Sequence, residues 1–450
     1  MQTKKVNYTP MFRYGCNLII LKKSTMKCFN LSLLFSLSSI LLFGQTNYYD
    51  FFNDSILRID YTIGGNFETT EIFPGQMKKE PLYSGSRKNF IDTKNYGTFR
   101  YRLFDKKSGK LIFSKGFCDL FQEWQTTIEA KKIKKSFYQS AILPFPKHEI
   151  QFTIDQRKRD GNFIRIFSTD INPKDYFILN EKSQKYKSEI IIKSGSPKNK
   201  VDLVFLPDGY AEKEMEKFIN DVRRMTDIIF SESPFDKHKK DFNIYAVKVP
   251  SSESGTDIPG ENIYKSTAFN STFYTFNTPR YLTTTDMKDI YDATSNIPCD
   301  QIYVLVNTKR YGGGGFYNFI SVCSADNELT SKTIVHEFGH GFAGLADEYY
   351  TSSVSYNDFY NLKTEPWEPN ITTLVAFDEK WRNTIKQSTP IPTPDTEKYE
   401  NKIGVFEGGG YNAKGIYRPY RDCRMKSNKA KGFCPVCQHA IEETIEWYCK

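Results

Sequence analysis

Two of the chain's five histidines, His336 and His340, lie four residues apart, and Glu337 directly follows the first of them. On a helix this spacing places both imidazoles on one face, where they can share one cation. Glu337 can then reach a water beside that cation and take its proton. The arrangement is typical of a zinc hydrolase, in which three protein ligands and one water surround the metal. An ordinary helix with two histidines is the alternative, but the scarcity of histidine argues against a chance pair.

Two histidines do not complete such a site, and Asp347 and Glu348 are the nearest candidates for the third ligand. Asp347 is eleven residues after His336, so on an unbroken helix it would stand about 16 Å away along the axis. Gly344 is a natural place for the helix to end in a left-handed residue, after which the chain can return toward the metal. We favour Asp347 as the ligand, whereas Glu348 could take that place with Asp347 supporting the site.

Apolar runs before this motif predict the strands that position it. They read VDLVFL from residue 201, FNIYAVKV from residue 242 and QIYVLVN from residue 301. Between the first two runs, apolar side chains from Met215 to Ile229 recur on one helical face. Strands and helices alternate, which indicates an α/β domain over residues 186–450 with a mixed, largely parallel sheet and an active-site helix.

Residues 46–185 have a different pattern, in which apolar and polar residues alternate between Gly, Asn, Asp and Pro. The alternating runs are ILRIDYTI, GTFRYRLFD, KLIFSKGF, HEIQFTID and NFIRIFST. This pattern predicts an antiparallel β-sandwich. The region holds one histidine, His148, so we interpret it as a structural or binding module ahead of the catalytic domain.

The first 45 residues have the pattern of an export signal. From Met26, a basic start is followed by about fifteen mostly apolar residues and then Gly44 and Gln45, as in a cleaved signal peptide. Met26 opens a complete signal alone, so we take it as the expected true start. The apolar segment is short for a spanning helix, and we expect no transmembrane segment in the mature chain. A secreted, periplasmic or cell-surface location follows.

The net charge of +9 does not indicate a nucleic-acid partner. Six of these positive charges lie in residues 1–45, which leaves +3 for the remaining chain. Charged residues make up 26% and aromatic residues 15% of the sequence, a composition that indicates a folded protein. We expect the mature chain to be a monomer.

Seven cysteines remain after the leader: Cys118, Cys299, Cys323, Cys423, Cys434, Cys437 and Cys449. Export favours disulfides, and an odd number leaves at least one thiol unpaired. Cys434 and Cys437 form a CPVC motif with three open interpretations: a redox pair, a structural zinc site with Cys423 and Cys449, or disulfide partners. We favour a disulfide from Cys423 to Cys434 or Cys437.

The motif and the residues behind it, HEFGHGFAGLADEY, resemble the IgA-peptidase-like family of secreted bacterial zinc metallopeptidases. Further stretches agree: KVDLVFLPDGYAEKEMEKF, VPSSESGTDIP, EPWEPNIT, GVFEGGGYNAKGIYRP and CRMKS with FCPVC. The resemblance covers about residues 190–445, and the leading β-rich part is similar to that family's accessory domain. It implies zinc held by His336, His340 and Asp347, with Glu337 as general base. The pattern departs from the ordinary metzincin plan by one extra residue before the glycine and by Asp instead of His.

The same resemblance implies roles outside the helix. The edge strand in GGGGFYNFISVCSADNE would pair with the substrate backbone, and Gly312 to Gly315 would let a peptide approach closely. Met425 is placed like the methionine turn beneath the metal. The tyrosine that metzincins carry two residues later is replaced by Ser427, so Tyr417 and Tyr420 are only candidates for stabilising the transition state.

We therefore expect a secreted zinc endopeptidase that hydrolyses peptide bonds of a protein or glycoprotein. The alternative is a non-catalytic, zinc-containing surface-binding protein that keeps the fold, and the intact Glu337 argues against it. A zinc amidase acting on a substrate other than protein is a third possibility. The sequence names neither the substrate nor the cleavage specificity.

Overall fold

The structure, a computed structural model, describes residues 47–180, 186–351 and 359–450. The expected signal peptide and its Met26 start lie outside these residues. The helices in the described part are α1 Tyr48–Phe51, α2 Leu120–Gln125, α3 Met215–Ile229, α4 Met287–Thr294, α5 Thr330–Ala343 and α6 Pro435–Cys449. The strands are β1 Phe52–Gly65, β2 Thr70–Glu80, β3 Phe99–Asp105, β4 Leu111–Phe117, β5 Lys135–Pro146, β6 Ile150–Arg157, β7 Phe163–Ile171, β8 Ile178–Leu179, β9 Lys187–Ile192, β10 Val201–Asp208, β11 Phe242–Lys248, β12 Gln301–Val306, β13 Gly313–Gly315, β14 Ser321–Ser324, β15 Phe406–Gly409 and β16 Asn412–Arg418.

Two four-stranded sheets form the N-terminal part. Their strand orders are β5-β1-β2-β8 and β4-β3-β6-β7, and all neighbours are antiparallel except the short β2–β8 pair. Strand β3 alternates fully buried and half-buried residues from Phe99 to Asp105, as a strand with one face on a core must. The sheets meet at Tyr61 and Tyr101, whose hydroxyl oxygens are 2.6 Å apart. The prediction of antiparallel β-structure in this region is confirmed.

A six-stranded mixed sheet carries the second half of the chain, in the order β13-β14-β12-β10-β11-β9. The four inner strands, β14, β12, β10 and β11, run parallel to one another. The two outer strands, β13 and β9, are antiparallel to the strands beside them. Strand β10 is buried along its whole length, which explains its unbroken apolar run. The three predicted strands and the predicted amphipathic helix are all present.

Each face of this central sheet packs into a different hydrophobic core. Leu203 and Phe205 of β10 pack in the core that contains α3 and α5. Val204 and Leu206, which point to the opposite face, pack in the core that also holds residues of the two N-terminal sheets. The N-terminal sheets therefore complete the burial of the sheet that carries the histidine helix.

The last part of the chain adds the β15–β16 hairpin and the helix α6. Helix α6 packs against α5 and against β10. Among the helices described, none combines the length and the apolar character needed to cross a membrane.

All seven cysteines of the described part are free thiols, so the expected disulfides are not formed in this structure. Cys423 Sγ and Cys437 Sγ lie 3.7 Å apart, well beyond the roughly 2.05 Å of a disulfide bond. Cys449, the other partner considered for a zinc site, instead lies with its Sγ 3.6 Å from the Asp241 carbonyl oxygen. The preference for a disulfide at Cys423 has no support in this geometry.

Candidate metal centre

The histidine helix α5 ends where the sequence predicts. Gly344 has a φ of +64° and a ψ of 31°, which is the left-handed conformation. Its N–H donates to the His340 carbonyl oxygen at 3.0 Å, and the Leu345 N–H donates to the Gly339 carbonyl oxygen at 3.2 Å. These bonds satisfy carbonyls that a helix end leaves open, and they reverse the chain direction. Asp347 is thereby carried back toward the two histidines.

The returning segment is held by a buried amide. The Ala346 N–H donates to Asn370 Oδ1 at 2.7 Å, and Asn370 Nδ2 donates back to the Ala346 carbonyl oxygen at 2.9 Å. The Glu348 N–H donates to the Met425 carbonyl oxygen at 2.9 Å. These hydrogen bonds fix the backbone on both sides of Asp347 and so set the direction in which its side chain leaves the chain.

The structure brings His336, His340 and Asp347 together. The two Nε2 atoms are 3.1 Å apart, and Asp347 Oδ1 lies 3.0 Å from the first and 3.3 Å from the second. Ligands at about 2.0–2.2 Å from a tetrahedral zinc ion would themselves be about 3.3–3.6 Å apart. The triangle of donor atoms is therefore within a few tenths of an ångström of the size that such an ion requires.

The outer nitrogens of both rings show which atoms face this triangle. His336 Nδ1 lies 3.0 Å from the Arg424 carbonyl oxygen, and His340 Nδ1 lies 2.5 Å from the Leu345 carbonyl oxygen. A carbonyl oxygen only accepts, so each Nδ1 carries a proton and a neutral ring directs the lone pair of Nε2 inward. Asp347 Oδ1, also directed inward, is buried and has no hydrogen-bond partner. When both rings are neutral, these three electron-rich atoms repel one another, and a cation shared by all three removes that repulsion, so the residues fit a metal.

Without a metal, protons take over part of this role. Burial lowers the pKa of His340, but the Asp347 carboxylate outweighs burial and raises that pKa to about 9. Burial raises the pKa of Asp347, and the two histidines outweigh it and hold that pKa well below its usual range. A cation that binds here must displace the imidazolium proton, so metal affinity falls as the pH falls below about 9.

Glu337 lies beside the edge strand β13. A Cβ atom added to Gly313 would be 2.7 Å from Glu337 Oε1, and one added to Gly315 would be 2.3 Å from the Glu337 carbonyl oxygen. The glycines are thus required by the close approach of helix α5, which is a reason that the sequence did not reveal. Burial raises the pKa of Glu337, and the neighbouring histidines offset only part of that increase. A carboxylate with a raised pKa is suited to accept a proton and pass it on.

A tight hairpin supplies a hydrogen bond to the outer oxygen of the candidate ligand Asp347. Strands β15 and β16 are joined by Gly410 and Tyr411, both with positive φ, at +53° and +64°. This two-residue turn projects Tyr411 so that its hydroxyl donates to Asp347 Oδ2 at 2.6 Å. A tyrosine in the left-handed region is uncommon, and such strain concentrates at functional sites. Asp347 Oδ2 is satisfied by Tyr411, which leaves Oδ1 for the histidine side.

The three donors open into a cleft with a volume of about 380 Å³. The walls come from several parts of the chain, and they include Arg157 at the end of β6 and Gln122 of helix α2, both in the N-terminal part. Arg280 lies in this wall with its guanidinium carbon 5.7 Å from the centre of the Tyr349 ring, and its charge acts on Asp347. The N-terminal part, which the sequence suggested as a separate module, therefore helps to shape the site.

Of the other residues that the sequence singled out, some lie at the site and some do not. Met425 is fully buried beneath α5, where its Sδ would lie 3.0 Å from a Cβ added to Gly339. Glu348 is directed away from the histidines and accepts a hydrogen bond from Asn370 at 2.9 Å. Tyr417 and Tyr420 are not among the described residues that line the cleft, whereas Tyr311, Tyr349 and Tyr411 are.

Sequence reasoning missed Asn370, Tyr411 and Arg280. Each acts on a segment at least 22 residues away in the chain, as in the Asn370–Glu348 bond. Asn370 and Tyr411 do lie in two of the stretches that carry the family resemblance, EPWEPNIT and GVFEGGGYNAKGIYRP. That was the available signal for these two residues, and we find no comparable signal for Arg280.

Comparison with known proteins supports the same interpretation. The family model described as IgA Peptidase M64 matches residues 190–400 and 395–445, and the model of the Peptidase M64 N-terminus matches residues 47–168. No curated protein matches the chain. Together the two family models span most of the N-terminal sheets and the part that holds the metal-type residues. The chain therefore belongs to the IgA peptidase M64 family of peptidases.

Proposed function

We propose that the protein is a zinc-dependent endopeptidase whose metal is held by His336, His340 and Asp347. The observation that carries the proposal is the triangle of donor atoms with sides of 3.0, 3.1 and 3.3 Å, which opens into the cleft beside Glu337. Zinc accepts imidazole and carboxylate ligands, and a catalytic zinc keeps a position open for water or substrate. Zinc bound there would supply a Lewis acid that polarises the scissile carbonyl and acidifies a water.

Glu337 is the general base and then the general acid in this proposal. Its carboxylate takes a proton from the attacking water and delivers it to the amine that leaves. The raised pKa of the carboxyl group, caused mainly by burial, helps it to hold the proton between these two steps. The amine leaves as a neutral group, which lowers the barrier to breaking the peptide bond.

The surroundings are consistent with a metzincin-like plan that has Asp347 as its third ligand. Met425 forms the apolar floor under α5, and its carbonyl oxygen fixes the segment that follows Asp347. Strand β13 is the outermost strand of the central sheet and passes beside Glu337, so a substrate backbone could align along it. Gly313 of β13 also forms an isolated parallel bridge with Tyr281, a residue outside the strand. A bound peptide would therefore share the outer edge of β13 with the segment around Tyr281.

A protein or glycoprotein is the proposed substrate, and we keep an exported, monomeric mature chain as part of the proposal. The leader pattern from Met26 supports export. The cleft is open to solvent, and its wall contains both positively charged and acidic side chains, such as Arg157, Arg280 and Glu365. A wall of this kind suits an extended peptide with polar side chains.

Replacing Glu337 tests the proposal. Glu337→Ala leaves the three metal-binding side chains in place, so we expect zinc to stay bound while protein hydrolysis falls by at least about 1,000-fold. Glu328→Ala is the matched control, because Glu328 is exposed just before the same helix. Both variants are compared with the wild type by zinc content and by cleavage of a mixed protein panel.

Hydrolysis that persists in zinc-loaded Glu337→Ala would contradict the assignment of the base. A zinc-loaded wild type that cleaves no protein in a broad panel would favour the non-catalytic binding protein. Cleavage of a non-peptide amide in place of protein would favour the amidase. Loss of activity in Glu328→Ala as well would show that the assay reports damage to the helix and not the loss of a base.

A further inference from the structure

Three cysteines and one carboxylate meet in the interior on the far side of the returning segment. Cys423, Cys434, Cys437 and Glu348 each offer one ligand atom, and these four atoms lie within 4.8 Å of one another. All four side chains are almost fully buried, with relative exposures of 0%, 3%, 0% and 0%. Cys434 is the N-cap of helix α6 and Cys437 lies in its first turn, so the CPVC spacing places both sulfurs at one helix end.

The distances within this cluster suit a tetrahedral thiolate site. Cys423 Sγ and Cys437 Sγ are 3.7 Å apart, and Cys437 Sγ is 3.3 Å from Glu348 Oε1. Sulfur ligands at about 2.3 Å from a tetrahedral zinc ion would be about 3.8 Å apart, and a sulfur and an oxygen ligand about 3.5 Å apart. The Cys434 N–H also donates to Cys423 Sγ at 3.2 Å, a bond that stabilises negative charge on that sulfur.

Glu348 provides the independent observation. Its Oε1 accepts from Asn370 Nδ2 at 2.9 Å, but its Oε2 is buried and has no hydrogen-bond partner. A fully buried carboxyl oxygen without a partner is costly, and apolar residues would fill such a position better unless something binds there. A cation held by the three sulfurs and the Glu348 carboxylate would neutralise the buried charge that the partnerless Oε2 carries.

We propose that Cys423, Cys434, Cys437 and Glu348 hold a second, structural metal ion, with zinc as the expected metal. Thiolates select soft cations, and four protein ligands with no open position are typical of a structural zinc. Binding releases the thiol protons to solvent. The buried guanidinium of Arg418, whose charge acts on Glu348, and the positive end of helix α6 offset the excess negative charge of the ligands.

Such an ion would link the two chain segments that support the histidine site, the one around Asp347 and the one around Met425. Glu348 directly follows Asp347, and its N–H donates to the Met425 carbonyl oxygen. The Arg424 carbonyl oxygen, one residue before Met425, accepts from His336 Nδ1. The buried ion would thus fix the segment of the third ligand and the segment behind His336 relative to each other. The inference does not depend on the proposed hydrolysis.

Metal counting on the purified full chain tests the proposal. We expect two zinc ions per wild-type chain and one in Cys437→Ser, measured by elemental mass spectrometry. Cys118→Ser is the matched control, because Cys118 is a buried thiol outside the cluster, and it should keep two. The double variant His336→Ala/His340→Ala should keep one ion, which separates the two sites.

One ion in the wild type that disappears in the double histidine variant would overturn the inference, and so would two ions in Cys437→Ser. One ion that survives in the double variant would support the inference and instead contradict the proposed catalytic zinc. Each site is thus judged by its own result.

A measurement on the wild type covers the case in which Cys437→Ser does not fold. The chain is denatured with chelator and without reductant, alkylated, and its modified cysteines are identified by mass spectrometry. Alkylation of Cys423, Cys434 and Cys437 in a sample that carried two zinc ions supports the site. A disulfide among these three, or three thiols in a sample that carried only the histidine-bound ion, overturns it.

Discussion

At the scale of single residues, the two adjacent acids of the motif have different partners. Asp347 Oδ1 lies within 3.3 Å of both histidines, whereas Glu348 contacts Asn370 and Cys437. Sequence spacing could not choose between them, because both carry the same charge at nearly the same distance from the helix. The choice is made by backbone hydrogen bonds that the Asn370 side chain and the Met425 carbonyl oxygen accept, and both residues lie far away in the chain.

A tyrosine outside the histidine motif should support zinc binding. Tyr411→Phe removes the hydroxyl that donates to Asp347 Oδ2 at 2.6 Å but keeps the ring. Partners of this kind orient a metal ligand, and their loss typically lowers metal affinity by about 10–100-fold. Competition with a chromophoric chelator measures the zinc affinity. Tyr417→Phe is the control, because Tyr417 does not line the cleft, and an unchanged affinity in Tyr411→Phe would show that Asp347 needs no such support.

At the scale of elements, the end of helix α5 determines whether the site can form. Alanine at Gly344 must adopt a φ of +64° and place its Cβ 2.8 Å from the Trp367 ring. Gly109 has a similar φ of +70° but an open surrounding, so Gly109→Ala reports the conformational cost alone. We expect Gly109→Ala to lower the free energy of unfolding by about 1 kcal/mol. Gly344→Ala should lose at least about 2 kcal/mol and also bind less zinc.

Urea denaturation of the metal-free proteins gives both unfolding free energies, and zinc content is measured on the same preparations. Equal losses of unfolding free energy in the two variants would show that the Trp367 ring moves aside at little cost. Normal zinc content in Gly344→Ala would show that the return of Asp347 does not depend on a glycine at this position.

The elements that the sequence predicted are those with strong local signals. The continuous apolar run of β10, the one-sided pattern of α3 and the glycine after α5 each determine their own structure locally. Strand β2 was missed because Pro74, Gly75 and several charged residues interrupt its alternation of apolar and polar residues. Its N-terminal part is also largely exposed, so it carries little apolar signal. The glycines of β13 were linked only to substrate approach, although helix α5 itself requires two of them.

At the scale of the whole molecule, the peptidase sheet depends on the N-terminal sheets. Val204 and Leu206 of β10 share a buried core with residues such as Leu57 and Leu103. The same N-terminal sheets place Arg157 in the wall of the cleft. No local pattern could show this, because it depends on which face of the central sheet the two sheets cover. The division at residues 185 and 186 stays a prediction.

The proposed hydrolysis requires a metal at one position in the intact chain, between the two histidines and Asp347. Anomalous diffraction at the zinc absorption edge, from crystals of the zinc-loaded protein, measures that position directly. We predict a peak about 2.0–2.2 Å from His336 Nε2, His340 Nε2 and Asp347 Oδ1. No peak between these three atoms, in crystals of protein that cleaves its substrate, would contradict the proposed metal centre.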